Sequence, residues 1–274
     1  MSPLAREFTY SLLCESHKQA YLSSVMKEQT FFLGWQDQAK RCWYPVGRLD
    51  ASADRKHYSF AYTRGALEAK EAGGFEPLYD FPLLNQRYES SELFPLFKNR
   101  IMIPGRRDFQ DYLKLLDLKE QNPDPLEIMA IDGGYRATDS YQVFPKIVTD
   151  PDGCFKTRFF LHGWRHTNED AKKQLNALKH DTPLYVTVEL TNPATGAAVQ
   201  IQTEDYYMLG WAPRYLVHDL VHAMANSPGD LSAKVVKVNP VPAPSKQRVL
   251  IELSGHWPKN YKPMQGREFE ILAS

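Results

Sequence analysis

Two histidines, His218 and His222, have the spacing that most directly suggests chemistry in this chain. Residues four apart lie on one face of a helix, so this pair has the geometry to bind a metal ion. The segment His218-Asp-Leu-Val-His222 resembles the zinc-protease motif, but an aspartate replaces the glutamate, and its shorter side chain reaches a metal-bound water poorly. The sequence reveals no third ligand. We therefore predict an exposed polar helix face and no metal site. His162 and His166 share the spacing but lie on a predicted strand and turn.

The three cysteines, Cys14, Cys42 and Cys154, show neither a metal-ligand pattern nor a disulfide framework. An odd number of widely separated cysteines is typical of a reducing compartment, where they serve as small core residues. The sequence contains no apolar run of about twenty residues and no signal-peptide pattern at its N-terminus. We expect a cytoplasmic protein without membrane contact and without a cofactor.

One long segment, residues 183–226, has local signals that agree on a single structure. Apolar and polar residues alternate with the period of two that is typical of half-buried strands, and Asn-Pro and glycine mark the turns. Pro213 stands where the first turn of a helix favours proline, and apolar residues then recur on one face. The predicted elements are strands at 183–190, 197–203 and 208–211, followed by a helix that ends at Asn226.

This series of elements resembles the core of a HIRAN domain, a small β-rich module that precedes the motor of certain fork-remodelling helicases and also occurs in bacterial proteins. The similarity extends from Phe155, through the segment Phe159–His166, to predicted strands at 233–241 and 248–257. It implies an OB-like small β-barrel with one packed helix. It also implies a concave rim that holds single-stranded DNA and its terminal 3′-hydroxyl.

The resemblance places five residues of this chain on that rim. Arg165 and Arg214 would bind phosphates, and His166 and Trp211 would stack on bases. Asn192 would hydrogen-bond a sugar or a base edge. These residue types suit a polyanion, because an arginine at a helix N-terminus adds charge where free N–H groups already attract phosphate, and aromatic rings stack on any base. The structural alternative makes the tryptophan a core residue, the arginines solvated surface groups and the asparagine a turn former.

Two positions depart from the HIRAN pattern. The Asn-Pro turn of the family is commonly followed by an aromatic residue and then an acid, which help to grip the strand end, whereas this chain has Ala194 and Thr195. The departure concerns recognition of a 3′ end more than it concerns the fold.

A second resemblance covers residues 30–103. A series of segments is similar in order and spacing to the N-terminal β-rich subdomain of HipA-type serine/threonine kinases: Pro45–Leu49, Tyr58–Tyr62, Phe75–Leu83 and Leu93–Phe97. The kinase core is not recognisable in the sequence, which has no glycine-rich phosphate loop, no catalytic-loop Asp followed by Asn and no metal-binding Asp motif. We therefore predict no kinase activity. The resemblance supports an alternative function, docking onto a HipA-type kinase or similar toxin through exposed aromatic residues around Phe75–Phe97.

Turn signals and composition divide the chain into three expected parts: a HipA-N-like β-rich domain with an N-terminal arm at 1–103, a helical connector at 104–150 and a HIRAN-like domain at 151–274. The formal net charge is zero, but residues 155–274 carry 14 Lys and Arg against 11 Asp and Glu. This small surplus permits a polyanionic ligand without demonstrating one. The sequence thus predicts a β-rich α+β protein that binds single-stranded DNA or DNA 3′ ends without catalysis, in bacterial DNA transactions, defence or toxin control.

Overall fold

The computed structural model describes residues 28–120, 122–227 and 229–273. This part of the chain is α+β and β-rich with two antiparallel sheets, which confirms the predicted fold class. The predicted N-terminal arm and Cys14 lie outside the described residues. No described helix is both long enough and apolar enough to cross a membrane.

The first sheet consists of β1 (Gln29–Gln36), β2 (Trp43–Ala51), β3 (Tyr58–Tyr62), β4 (Arg87–Ser90) and β5 (Tyr141–Pro145), in the order β4-β3-β2-β1-β5. Helix α1 (Arg64–Gly73) packs on this sheet through the small residues Gly65, Ala66 and Ala69. The core beneath it is aromatic, with Phe60 stacked on Phe81 at a centroid distance of 4.2 Å. The short helix α2 (Pro95–Lys98) adds the buried Phe97 to the same core.

The second sheet consists of β6 (Cys154–Phe160), β7 (Pro183–Asn192), β8 (Gly196–Gln202), β9 (Met208–Trp211), β10 (Ser232–Val238) and β11 (Val249–His256), in the order β6-β11-β10-β7-β8-β9. Its two edges meet just beyond β6. The N–H of His162 donates to the carbonyl of Trp211, and the N–H of Trp211 donates to the carbonyl of His162, both at 2.9 Å. This exchange closes the sheet into a small barrel and pairs the strand edges at that end.

Four further helices complete the fold: α3 (Phe109–Leu115), α4 (Pro125–Asp132), α5 (Glu169–Ala177) and α6 (Arg214–Asn226). Helix α6 buries Leu216, Leu220 and Ala223 in the barrel core. The sequence predicted Leu216 and Leu220 on the apolar face together with Val221 and Met224, which are only half-buried. Helices α3 and α4 pack outside the barrel, where Phe109 and Leu113 share a cluster with side chains of β6, β10 and β11.

The two sheets are joined by shared packing. Phe144 of β5 stacks on Tyr215 of α6, with a centroid distance of 4.2 Å and an interplanar angle of 5°. The C-terminal segment then returns from the barrel to the first sheet. There Ile271 forms an antiparallel bridge with Thr63, and the N–H of Leu272 donates to the carbonyl of Tyr62 at 2.8 Å.

Several boundaries differ from the sequence expectation. Residues 141–145 were expected in the helical connector but form β5, which pairs with β1 along the register Phe32↔Phe144. The last part of the predicted second domain, 151–274, extends beyond the barrel: Trp257 is 1% exposed, and the chain after it reaches the first sheet. Asp108 occupies the N-cap position of α3 but makes no capping hydrogen bond, because its carboxylate pairs with Arg106. Asp124, by contrast, caps α4 by accepting from the N–H of Leu126.

Candidate nucleic-acid interface

A large open cleft lies where the barrel meets the first sheet and the segment after α4. Its volume is about 1280 Å³. We call it the junction cleft. All five residues that the sequence assigned to a binding rim line it: Arg165, His166, Asn192, Trp211 and Arg214. The barrel supplies these five, and the other wall comes from residues that precede the barrel.

Trp211 is half-buried at the end of β9 and is fixed by two neighbours. A Cβ atom placed on Gly163 would lie 2.5 Å from Cε3 of Trp211, so the indole packs directly against that glycine. The indole Nε1 donates to Oε2 of Glu189 at 2.8 Å. This hydrogen bond is the first cause of a lowered pKa for the Glu189 carboxyl, followed by the one from Asn192. The ring is therefore positioned before any ligand arrives.

Asn192 serves mainly to build the β7–β8 turn. Its Oδ1 accepts from the N–H of Ala194 and from the hydroxyl of Thr195, each at 3.0 Å. Its Nδ2 donates to Glu189 at 3.1 Å. Because an amide oxygen has two lone pairs and an amide nitrogen two hydrogens, one N–H remains for a ligand. Residue 194 contributes to this turn only through its backbone N–H, whereas Thr195 contributes its side-chain hydroxyl.

Arg214 is the first residue of α6 and follows Pro213 at the N-cap. Proline lacks a side chain that can cap the helix, so the first N–H groups of α6 have no side-chain cap. The guanidinium Nη1 donates to the backbone carbonyl of Arg41 at 2.6 Å. Partial burial lowers the Arg214 pKa. The side chain thus spans the mouth of the junction cleft and touches both of its walls.

Arg165 and His166 lie on a 3-10 turn, Trp164–His166, that follows Gly163 in the left-handed conformation with φ of 67°. Both side chains are exposed. Lys246 lies near Arg165, and its Nζ is 2.6 Å from the centroid of the Tyr135 ring. Partial burial, followed by the positive charge of Arg165, lowers the Lys246 pKa to about 8. Arg165 and Lys246 are therefore neighbouring positive charges on the barrel wall of the junction cleft.

His162 is surrounded by protein atoms although its side chain keeps access to solvent in the cleft. This desolvation, with the positive charges of Lys246 and Arg214, lowers the His162 pKa to about 4. The imidazole is consequently neutral near pH 7. The lowered pKa values of the histidine and the lysine share a cause, because each faces positive charge from another cleft residue.

The acidic side chains of the junction cleft are engaged in internal contacts. Asp139 forms an ion pair with the buried Arg100 at 2.6 Å. Asp132 accepts from Gln247, and burial raises its pKa. Glu189 is held by the contacts to Trp211 and Asn192 described above. The cations that remain without a carboxylate contact among the described residues are Arg41, Arg165, Arg214 and Lys246.

Sequence reasoning missed four further residues that line the junction cleft, three of them on the wall opposite the barrel. Arg41 and Trp43 come from the β1–β2 hairpin, Tyr135 from the loop after α4, and Lys246 from the loop before β11. These segments are up to two hundred residues apart, and no local pattern links them. The tripeptide Arg41-Cys-Trp43, a cation and an aromatic beside a hairpin turn, was the signal that could have indicated a binding role.

The metal hypothesis gains no support from the geometry of α6. Among the described residues, no group of three or more His, Cys, Asp or Glu side chains is arranged to hold a metal ion. Asp219 is buried and accepts from the Tyr261 hydroxyl at 2.6 Å, so it is unavailable beside the histidines. His218 is exposed, and His222 stacks on Tyr261 at a centroid distance of 4.2 Å.

The aromatic surface that the alternative function requires is not formed by the phenylalanines around residues 75–97. Phe75, Phe81, Phe94 and Phe97 are all buried in the first core. Tyr79 is the large exposed aromatic side chain of that stretch, at 98% exposure. Docking onto a kinase-like partner through this surface stays a prediction.

Comparisons with known proteins leave the family of this chain open. No family model matches it, and no curated protein matches it. A crystal structure of a protein from Lactobacillus plantarum, determined by a structural genomics consortium, is similar at 18% identity and a TM-score of 0.28. The match covers 38% of this chain and the whole of that protein. A similarity at this level carries no argument about fold or function.

Proposed function

We propose that the junction cleft binds single-stranded DNA, including strand ends, and that the protein acts by binding and not by catalysis. The observation that carries this proposal is the convergence of unpaired cations and a fixed indole in one cleft. Arg165, Arg214 and Lys246 line the same cleft as Trp211, and none of them pairs with a carboxylate among the described residues. The HIRAN resemblance supports the same ligand, because the rim residues that it implies are the ones that line the cleft.

Electrostatics favours a polyanion over a single small anion. Arg214 contacts Arg41 across the two walls of the cleft, and Arg165 and Lys246 lie on a separate pair of loops, so the cations are spread over the opening. Their mutual repulsion is relieved when phosphates lie between them, and counterions released from the nucleic acid add to the affinity. The exposed face of Trp211 offers a stacking surface that tolerates any base.

A salt-dependent titration tests the proposal. Fluorescent single strands with free or blocked 3′ ends are titrated with the protein at two salt concentrations. The double substitution Arg165→Ala with Arg214→Ala is expected to weaken binding and to reduce the slope of log affinity against log salt by about 1.4, at roughly 0.7 per lost phosphate contact.

The matched control carries Arg107→Ala with Lys259→Ala, which removes the same charge from exposed positions outside the cleft. It should keep most of the affinity. Negligible binding of both strands, unchanged by the double substitution, would refute the proposed function. A preference for the free 3′ end would show that strand ends are read despite Ala194 and Thr195.

A further inference from the structure

A second cavity continues from the junction cleft along helix α6. Its volume is about 570 Å³. We call it the α6 groove. Its lining includes Val217, His218, Val221, His222 and Ala225 of the helix.

The groove and the cleft are continuous. Thr195, Ala197, Arg214 and Val217 line both cavities. Arg214 therefore lies at the junction between them, with Trp211 in the cleft and the histidines in the groove. A chain-like ligand that passes Arg214 enters the groove without crossing a barrier of packed side chains.

One face of helix α6 lines the groove with regularly spaced side chains. Arg214, His218 and His222 recur at every fourth position, so they lie on one face at intervals of about 6 Å along the helix axis. Val217 and Val221 form an apolar stripe beside them. His218 is 85% exposed, and His222 is supported from behind by its stack on Tyr261.

The chemistry of this stripe matches a polynucleotide strand better than a cationic or purely apolar ligand. The described lining contains no carboxylate, since Asp219 is buried and holds Tyr261. Imidazole rings stack on bases and donate hydrogen bonds to phosphates, and apolar side chains contact base faces. A strand alternates these same two kinds of group along its length.

We propose that the α6 groove is a second subsite for the same single strand, which runs from the junction cleft past Arg214 and over His218 and His222. This inference rests on the proposed function of the cleft. It assigns a role to two histidines whose spacing suggested a metal, and it extends the binding track by the length of two helical turns.

A length series of oligothymidylates tests the second subsite. The affinity of the unmodified protein should rise with length until the strand fills both cavities and then level off. The variants His218→Ala and Ala225→Asp should bind the shortest strands as the unmodified protein does. Their affinity should stop rising at a shorter strand length. The carboxylate introduced by Ala225→Asp should also lower the affinity for the longest strands by about two- to fivefold, because it repels their phosphates.

Two matched variants control for side-chain loss and charge. His57→Ala removes an exposed histidine outside both cavities, and Ala177→Asp adds a carboxylate in the last turn of α5, as Ala225→Asp does in α6. Both should keep the full length profile. If the groove variants also keep it, the second subsite is wrong while the cleft proposal stands. If the unmodified protein binds no strand of any length, both proposals fail.

Discussion

His162 and Trp211 exchange two backbone hydrogen bonds of 2.9 Å, and this single pair both closes the barrel and fixes one side of the junction cleft. The bridge depends on backbone atoms alone. Their side chains both line the junction cleft and are therefore free to differ in role. Substitutions of the Trp211 side chain can test ligand binding without opening the barrel.

We expect Trp211→Ala to weaken binding of single strands by roughly 5- to 150-fold, since a base–aromatic stack contributes about 1–3 kcal/mol. Trp211→Phe should restore most of the affinity because it keeps a ring while losing the hydrogen bond to Glu189. Fluorescence anisotropy measures both. Equal affinity of the alanine variant and the unmodified protein would show that no base stacks on this indole.

Gly163→Ala should damage both stability and binding. The residue has φ of 67°, and its new Cβ would lie 2.5 Å from Cε3 of Trp211, so the indole must move. Gly196→Ala is the matched control, because Gly196 has φ of 72° but no atom lies within 4 Å of the added Cβ.

Both glycine variants share a backbone cost of about 1–2 kcal/mol, and the first adds about 1–3 kcal/mol for the clash. Thermal or chemical unfolding measures the difference. Equal losses in the two variants would mean that the contact with Trp211 adds nothing to the free energy of unfolding.

Binding should weaken as the pH rises above about 8. The pKa of Lys246 is about 8 because of partial burial and the nearby Arg165, and a bound phosphate favours the charged amine and raises this pKa again. Binding above pH 8 therefore takes up a proton, and the affinity falls by up to about tenfold per pH unit until the raised pKa is reached. Below about pH 7 the lysine is already charged, so it no longer makes the affinity depend on pH.

The variant Lys246→Arg tests whether Lys246 causes this pH dependence, since arginine stays protonated from pH 7 to 10. Affinities measured from pH 7 to 10 should show the slope in the unmodified protein and not in the variant. Arg165 and Tyr135 are the charged and titratable groups that face the amine most closely. An identical slope in both proteins would assign the titration to another group.

Glu189→Gln should strengthen binding by about two- to fivefold. The amide oxygen still accepts from Trp211, so the indole keeps its place, while the negative charge that repels phosphates is removed. The gain should shrink at high salt because screening weakens the repulsion. Weaker binding by this variant, with an unchanged unfolding temperature, would indicate that the carboxylate itself contacts the ligand.

The elements predicted best are those whose signals are local. Strand β9 was predicted at residues 208–211, and helix α6 was predicted to end at Asn226, as observed. Alternation and turn residues within a few positions define such elements. Strand β7 runs two residues past the predicted end, to Asn192, because the Asn192 side chain holds a tight turn instead of breaking the strand early.

The elements missed are those that depend on distant partners. Strand β5 exists because Phe144 pairs with Phe32, more than a hundred residues earlier, and no short window contains both. The second wall of the cleft was not predicted for the same reason, because it too is formed by contacts between distant residues. There the backbone carbonyl of Arg41 accepts a hydrogen bond from Arg214. The five rim residues were predicted from a family resemblance. The cations beside them, Arg41 and Lys246, became evident only once the packing of the two sheets was known.

The return of Ile271 to Thr63 ties the end of the chain to a strand near its beginning. Everything between these two residues, the entire barrel included, forms a loop whose ends are held together by the fold. Neither sheet can detach without first releasing that bridge, so heat or denaturant should unfold both sheets at one midpoint.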